Sequence, residues 1–499
     1  MNIGSEMQEI SSNNKRIAKN TLLLYFRMLV TMAVSLYTSR VVLNILGVED
    51  FGIYNVVGGI VAMFGFINGS MTSATQRYLT FELGQNNRAQ LTKVFSTSLS
   101  IHGIISFLII VLAETVGLWF LWNKMQIPAD RMNAAFWVFQ CSVAASVIMI
   151  MSVPYNAAII AHERMSAFAY ISIIEVSLRL LIVCFLRYFH TDKLILYAAL
   201  IVIVQFLIRL CYSWYCNRHF NETKYRWSWD KGLFKEMTGF ASWNMFGSLA
   251  AITFTQGLNL LLNMFFGPVV NAARGIAVQA QTAIGQFSSN FQTALNPQIT
   301  KSYATGDMEY MHGLIFRSAK FSFFLLLLLS LPVLIETKAI LTLWLKIVPD
   351  HTVVFLRIML CTTWVYAVSN PLITAASATG KIKLYQSVVG GLLLLILPIS
   401  YLCLRFGLPA YSVFIVHFVM EITAQFARLL MLRRMIRLSL REYFAKVIWS
   451  ISKVTAIALA VPLAVAYWQP GEGIWNLLTI CLICAISTSM SVYWFGLTP

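Results

Sequence analysis

Apolar stretches of about 20 or more residues recur about fourteen times along this 499-residue chain, separated by short polar connectors. An α-helix of about 20 residues spans the roughly 30 Å hydrocarbon layer of a bilayer, whereas a barrel strand needs only about 10 residues of alternating character. In lipid every backbone N–H and C=O must find its partner within the chain, and for runs of this length helices are the element that provides it. One large soluble core is excluded. Such cores stop growing near roughly 250 to 300 residues and need a charged shell, and here 58% of residues are hydrophobic and only 11% charged. The expected fold class is an all-α polytopic membrane protein.

The expected spans fall near 21–46, 51–81, 94–122, 132–161, 168–188 and 194–216, then 240–266, 270–303, 315–345, 352–378, 384–404 and 409–432. Two more follow, near 447–468 and 474–495. This divides the chain into a polar tail over 1–20, a six-helix bundle over 21–216, a linker over 217–236, a second bundle over 237–435, and a basic loop with a final helix pair over 436–499. The tail carries Lys15, Arg16 and Lys19 and shows no cleavable signal pattern, so it is expected to remain in the mature protein.

A net charge of +17 would suggest nucleic acid in a soluble protein, but here the basic residues sit in connectors and read as topology signals. With the tail inside, lysine and arginine favour the inner connectors by roughly two to one or better. Both termini are then expected in the cytoplasm, in a multi-pass protein of a bacterial inner membrane, with lipids as its surroundings and no nucleic-acid partner. The eight cysteines lie in or beside apolar spans without metal-ligand neighbours and are expected to be free thiols. Neither a metal nor a cofactor is expected, and no nucleotide loop or catalytic triad is apparent, so the chain does not read as an enzyme.

The second half repeats the first. Pro154 to Arg164 reads PYNAAIIAHER and Pro371 to Lys381 reads PLITAASATGK, each a proline followed seven residues later by alanine and ten later by a cation. Leu121, Trp122 and Lys124 match Leu343, Trp344 and Lys346, and Leu43 with Asn44 matches Leu262 with Asn263. Because six helices is an even number, the two repeats share one orientation, parallel rather than inverted, and a substrate path between them is expected.

The run SRVVLNILGVEDFGIYNVV, with Arg40, Gly47, Glu49, Phe51, Gly52 and Tyr54, resembles the first-helix signature of polysaccharide repeat-unit flippases. These belong to the multidrug, oligosaccharidyl-lipid and polysaccharide exporter superfamily. The resemblance implies a MATE-like fold, with two six-helix repeats and a C-terminal helix pair. It also implies as cargo an undecaprenyl-diphosphate-linked oligosaccharide for O-antigen, capsule or exopolysaccharide, and polysaccharide polymerase machinery as a candidate partner.

Ionisable residues within a span are costly and mark function by default. The candidates are Arg27, Arg40, Arg179, Arg209, Arg274, Arg357 and Arg428 against Glu114, Glu175 and Glu421. A pump for cations needs intramembrane carboxylates, whereas an excess of arginine suits phosphate, which the guanidinium fork grips bidentately. The favoured reading is therefore a flippase; a cation-coupled exporter of drugs or other small molecules is the alternative.

Arg27 and Arg40 lie about 220° apart around a straight helix, so only one can face a cavity. Arg40 is the choice, since Asn44 shares its face and it lies in the signature. Arg274 and Arg357 lie about a turn inside the outer face, while Arg209 and Arg428 are close enough to the inner surface to snorkel. Gln256, Asn259 and Asn263 line one helix face, as do Gln279, Gln286, Asn290 and Thr293; such amides either bind sugar hydroxyls or hold helices together. Glu175 with Arg179, and His417 with Glu421, are spaced i, i+4 as structural or coupling pairs.

Overall fold

The computed structural model describes residues 3–62, 65–123, 125, 127–189, 191–224, 230–345, 348–468 and 473–496. The chain forms two compact units, Met1–Met245 and Phe246–Pro499. In order the helices are α1 (Ile3–Ala62), α2 (Gly65–Gly84), α3 (Arg88–Leu112), α4 (Leu118–Asn123), α5 (Met132–Ala161), α6 (Met165–Leu186) and α7 (Lys193–His219). They continue with α8 (Lys231–Phe266), α9 (Pro268–Thr305), α10 (Met308–Ile335), α11 (Thr337–Leu345), α12 (Thr352–Ala378), α13 (Lys383–Arg405) and α14 (Ser412–Met435). The last are α15 (Leu440–Tyr443), α16 (Trp449–Trp468) and α17 (Ile474–Ser491). Among the described residues there is no strand. The boundary between the units falls inside α8.

Twelve of the described helical segments are long and apolar enough to cross a membrane, fewer than the fourteen expected spans. The two expected at 51–81 and 270–303 are largely helical but are not among the twelve. For 270–303 the reason is polar content, since α9 carries five glutamines and three asparagines between Pro268 and Thr305, whereas 51–81 includes residues 63–64, which lie outside the described residues. Large apolar side chains turned outward, such as Phe107, Leu260, Tyr467 and Trp475, present the surface that lipid requires.

The repeat inferred from sequence is also visible in the backbone of each unit. A glycine interrupts the first long helical stretch of each: Gly47 at φ 80°, ψ 171° within α1, and Gly267 at φ 78°, ψ −174° between α8 and α9. Only glycine adopts this region readily. Left-handed Asn86 precedes the N-cap Asn87 of α3, and left-handed Gly306 precedes the N-cap Asp307 of α10. Pro154 lies seven residues before the end of α5, as Pro371 does before the end of α12. Two residues past each end the chain turns left-handed, at Glu163 (φ 59°) and Gly380 (φ 76°).

Within the first unit α5 packs against α7 and α1 against α6. Within the second, α12 packs on α9, α10 and α14, around a core including Leu262, Ala277, Phe355, Leu360, Ile396 and Phe414. The Leu397 side chain of α13 fills the space beside Gly257 of α8, where an added Cβ would lie 2.4 Å from it.

Candidate functional site

The second unit contains a chamber of about 430 Å³. One face of α9 supplies Gln281, Gly285, Ser288 and Gln292, spaced i, i+4, i+7, i+11, with Thr282, Gln286 and Ser289 beside them. Opposite stand Thr362, Thr363 and Tyr366 of α12 and His417, Glu421 and Arg428 of α14. Two of the amides hold the walls in place. Gln281 Nε2 donates to Thr363 Oγ1 (2.7 Å) and the Met359 carbonyl (3.2 Å), and Gln292 Nε2 to Ser322 Oγ (3.0 Å) and the Ala367 carbonyl (2.9 Å).

Arg428 does not snorkel to the surface. It is 2% exposed, and its Nη1 donates to Glu421 Oε1 at 2.7 Å and to Ser369 Oγ at 3.1 Å. Seven residues are about two helical turns, which places both charges on one face of α14. Ser369 donates in turn to Gln425 Oε1 (2.6 Å), whose amide reaches Tyr443 Oη (3.3 Å). Glu421 therefore spends its charge on Arg428 rather than on His417, whose ring lies 4.9 Å from that of Phe254. The i, i+4 spacing of His417 and Glu421 does not reveal this i, i+7 partner on the same helix, nor Ser369 of α12, which joins it.

Three expected site residues do meet. Arg274, 5% exposed, donates to Asn259 Oδ1 and to the Thr255 carbonyl (2.9 Å), and Asn259 Nδ2 donates to Gln256 Oε1 (3.0 Å). Arg274 Nε is buried without a hydrogen-bond partner, and among the described residues this arginine forms no ion pair. Gln286 lines the chamber, whereas Asn290 is buried and donates to the Gln286 carbonyl at 3.0 Å. Asn263 and Asn44 are exposed, and the side chain of Arg40 lies outside the described residues.

In the first unit Arg179 donates to Glu175 at 2.7 Å, and Gln205 donates to the same carboxylate oxygen at 3.2 Å. The remaining arginines have bland partners. Arg357 caps the end of α10 through Thr337 Oγ1 (2.9 Å) and the Ile335 carbonyl (3.2 Å), Arg27 stacks on Phe168 at 4.5 Å, and Arg209 lies 5.9 Å from the Tyr155 ring.

Two polar clusters escaped the sequence reading. Arg77, inside an expected span, lies over the rings of Tyr78, Phe81 and Phe240. Arg131 bridges Asp50 (2.6 Å) and Asp192 (2.7 Å), three residues from separate connectors. Burial opposes the charge on Asp192, but Arg131 and the first amides of α7, Leu194 N and Ile195 N, outweigh it and hold this carboxyl below its ordinary range.

The chain matches the family described as "Polysaccharide biosynthesis protein" over residues 17–303, more than half its length. Among solved structures it is similar to an outward-facing multidrug resistance MATE family transporter of the MOP superfamily. The TM-score is 0.73 at 13% identity, over 85% of this chain and 96% of that one. A MATE transporter in the bent conformation gives a TM-score of 0.75 at 12% identity, over 89% and 97%. A MOP superfamily transporter from Pyrococcus furiosus, whose reversed binding-pocket polarity is said to suggest a different function, gives 0.67 at 13% identity, over 84% and 96%. At such identities these likenesses establish the fold, which is MATE-like. No curated protein matches the chain.

Proposed function

Since the chain belongs to the polysaccharide biosynthesis protein family, we propose that this multi-pass membrane protein flips undecaprenyl-diphosphate-linked oligosaccharide across the bacterial inner membrane by alternating access. The observation that carries the reading is the Arg274 cluster. Its guanidinium sits in the second unit among an amide oxygen and a backbone carbonyl, with Nε unpartnered and without a carboxylate to neutralise it. A buried cation in that condition favours an anion, and a diphosphate supplies oxygens in the geometry a guanidinium grips. The amides and hydroxyls of the chamber add hydrogen-bonding capacity suited to sugars.

Export of cations coupled to an ion gradient fits less well. Glu421, the one carboxylate among the chamber's lining residues, is already neutralised by Arg428. The Pyrococcus furiosus transporter offers a parallel within the fold, since there the polarity of the pocket is taken to separate functions.

The test is surface glycan in a deletion strain complemented at matched membrane abundance. Arg274→Ala is expected to lower export about tenfold or more, as loss of a charge-assisted hydrogen bond implies, and Arg274→Lys to restore part of it. Wild-type glycan from Arg274→Ala removes this residue from cargo binding. Normal glycan in the uncomplemented strain, with no redundant transporter present, rejects the flippase.

A further inference from the structure

A crevice of about 470 Å³ opens between α10, α16 and the turn at Val492–Gly496. Four cations line it: Arg317 and Lys320 from α10, Lys446 from the turn before α16, and Lys453 from α16. No carboxylate is among its lining residues. Lys320 Nζ is held toward it by the Gly496 carbonyl at 3.3 Å, and Lys453 Nζ lies 5.0 Å over the Trp449 ring. Among the described residues only Lys446 has a carboxylate partner, Glu442 at 2.9 Å, and that pair is more than half exposed, so it contributes little. Gathering like charges between helices is unfavourable unless an anion occupies the site.

The surroundings indicate what carries that anion. Along α16, Trp449, Lys453, Ile457 and Val461 follow one another at four-residue intervals on a slowly drifting face. Trp449, Ile457 and Val461 are all exposed, and Phe321 of α10 is exposed next to Lys320. The cationic end lies on the side bearing the basic loop of Arg433, Arg434, Arg437 and Arg441, the side the charge bias assigns to the cytoplasm. Phosphate at one end and hydrocarbon along the helix describe a lipid rather than a soluble anion. Basic pockets between membrane helices on the cytoplasmic side characteristically take anionic headgroups.

We infer that this crevice binds the headgroup of an anionic diacyl phospholipid of the cytoplasmic leaflet, with its acyl chains along α16. The inference does not depend on the cargo proposed above, because it concerns residues outside the chamber and the Arg274 cluster.

The probe is phosphatidylglycerol, titrated into the detergent-solubilised full chain and counted by native mass spectrometry, with phosphatidylcholine as the neutral control. At about 1 kcal/mol per surface cation, Lys320→Gln/Lys453→Gln is expected to weaken the tightest phosphatidylglycerol by about thirtyfold. Lys320→Arg/Lys453→Arg should retain it, as should Lys231→Gln/Lys338→Gln, which removes the same charge elsewhere. Equal affinity in the wild type and the Lys320→Gln/Lys453→Gln variant overturns the site, and so does an equal loss in the distant pair. Undecaprenyl phosphate displacing phosphatidylglycerol from the wild type would instead reassign the crevice to a prenyl lipid and overturn the diacyl assignment. Should the glutamine variant fail to fold, a photoreactive phosphatidylglycerol on the wild type decides: adducts at 313–320 and 445–453 support the site, and adducts confined elsewhere refute it.

Discussion

Replacing Glu421 by glutamine strands the Arg428 guanidinium where its side chain is 3% exposed, with neutral groups such as Ser369 Oγ, at 3.1 Å, as its remaining partners. Removing one partner of a buried ion pair costs about 3 to 5 kcal/mol, because the surviving charge stays buried without compensation. Arg428→Gln is expected to cost less, since a stranded carboxyl can be neutralised by a proton whereas a guanidinium cannot. In Glu421→Gln/Arg428→Gln no buried charge remains, and two amides at i, i+7 retain access to Ser369 and Gln425. The double variant should therefore recover most of the loss, with a coupling energy of about 2 to 4 kcal/mol. The assay is unfolding in mixed micelles of increasing dodecyl sulfate content, followed by tryptophan fluorescence for the four proteins of the cycle. Coupling below about 0.5 kcal/mol, or Arg428→Gln costing clearly more than Glu421→Gln, would refute this account of the pair. Since both residues also line the chamber, the double variant is expected to regain stability without regaining full export.

Asp192 is held below its ordinary range, so its contribution to stability is complete above the unfolded-state value and is lost as pH falls through the folded one. Acid unfolding from about pH 4 downward should thus soften in Asp192→Asn, and an unchanged profile would exclude the Arg131 bridge as its origin. Gly380→Ala places a Cβ at φ 76° and should cost about 1 to 2 kcal/mol. Glu163→Gly relieves the same conformation at φ 59° but releases Arg16 from a 2.8 Å ion pair, and a smaller net change is expected in a melting comparison. A single cysteine at Lys231, in a background without native thiols, should resist an impermeant maleimide in intact cells; ready labelling would invert the expected topology.

The fold was legible wherever one physical requirement dominates. Crossing lipid demands long apolar helices, and the expected spans coincide with helices in both units. Where a second requirement intrudes, legibility fails. The span expected at 270–303 is a helix, but its glutamines serve neighbouring helices, as Gln281 and Gln292 do for α12, so its apolarity falls below that of the others. The repeat was readable through Pro154 and Pro371 because both occupy equivalent positions near helix ends. The shared backbone at Glu163 and Gly380 was not, because a left-handed residue can be glycine or an anchored glutamate, and nothing in the letters links the two.

The site was legible by residue type and illegible by partner. Counting intramembrane arginines identifies where charge lies, but its worth depends on what each guanidinium meets across helices far apart in sequence. Arg428 meets a carboxylate and is neutralised, whereas Arg357 meets a helix end and serves as a cap. Arg274 meets an amide and a carbonyl, which satisfy two of its nitrogens while leaving its charge uncompensated. These three arginines look alike in the sequence, yet of the three Arg274 is the one that is buried without a carboxylate partner. An anionic cargo should therefore respond most strongly to substitution at Arg274. Arg357→Gln, which keeps hydrogen-bonding capacity for the α10 end, should change stability more than export.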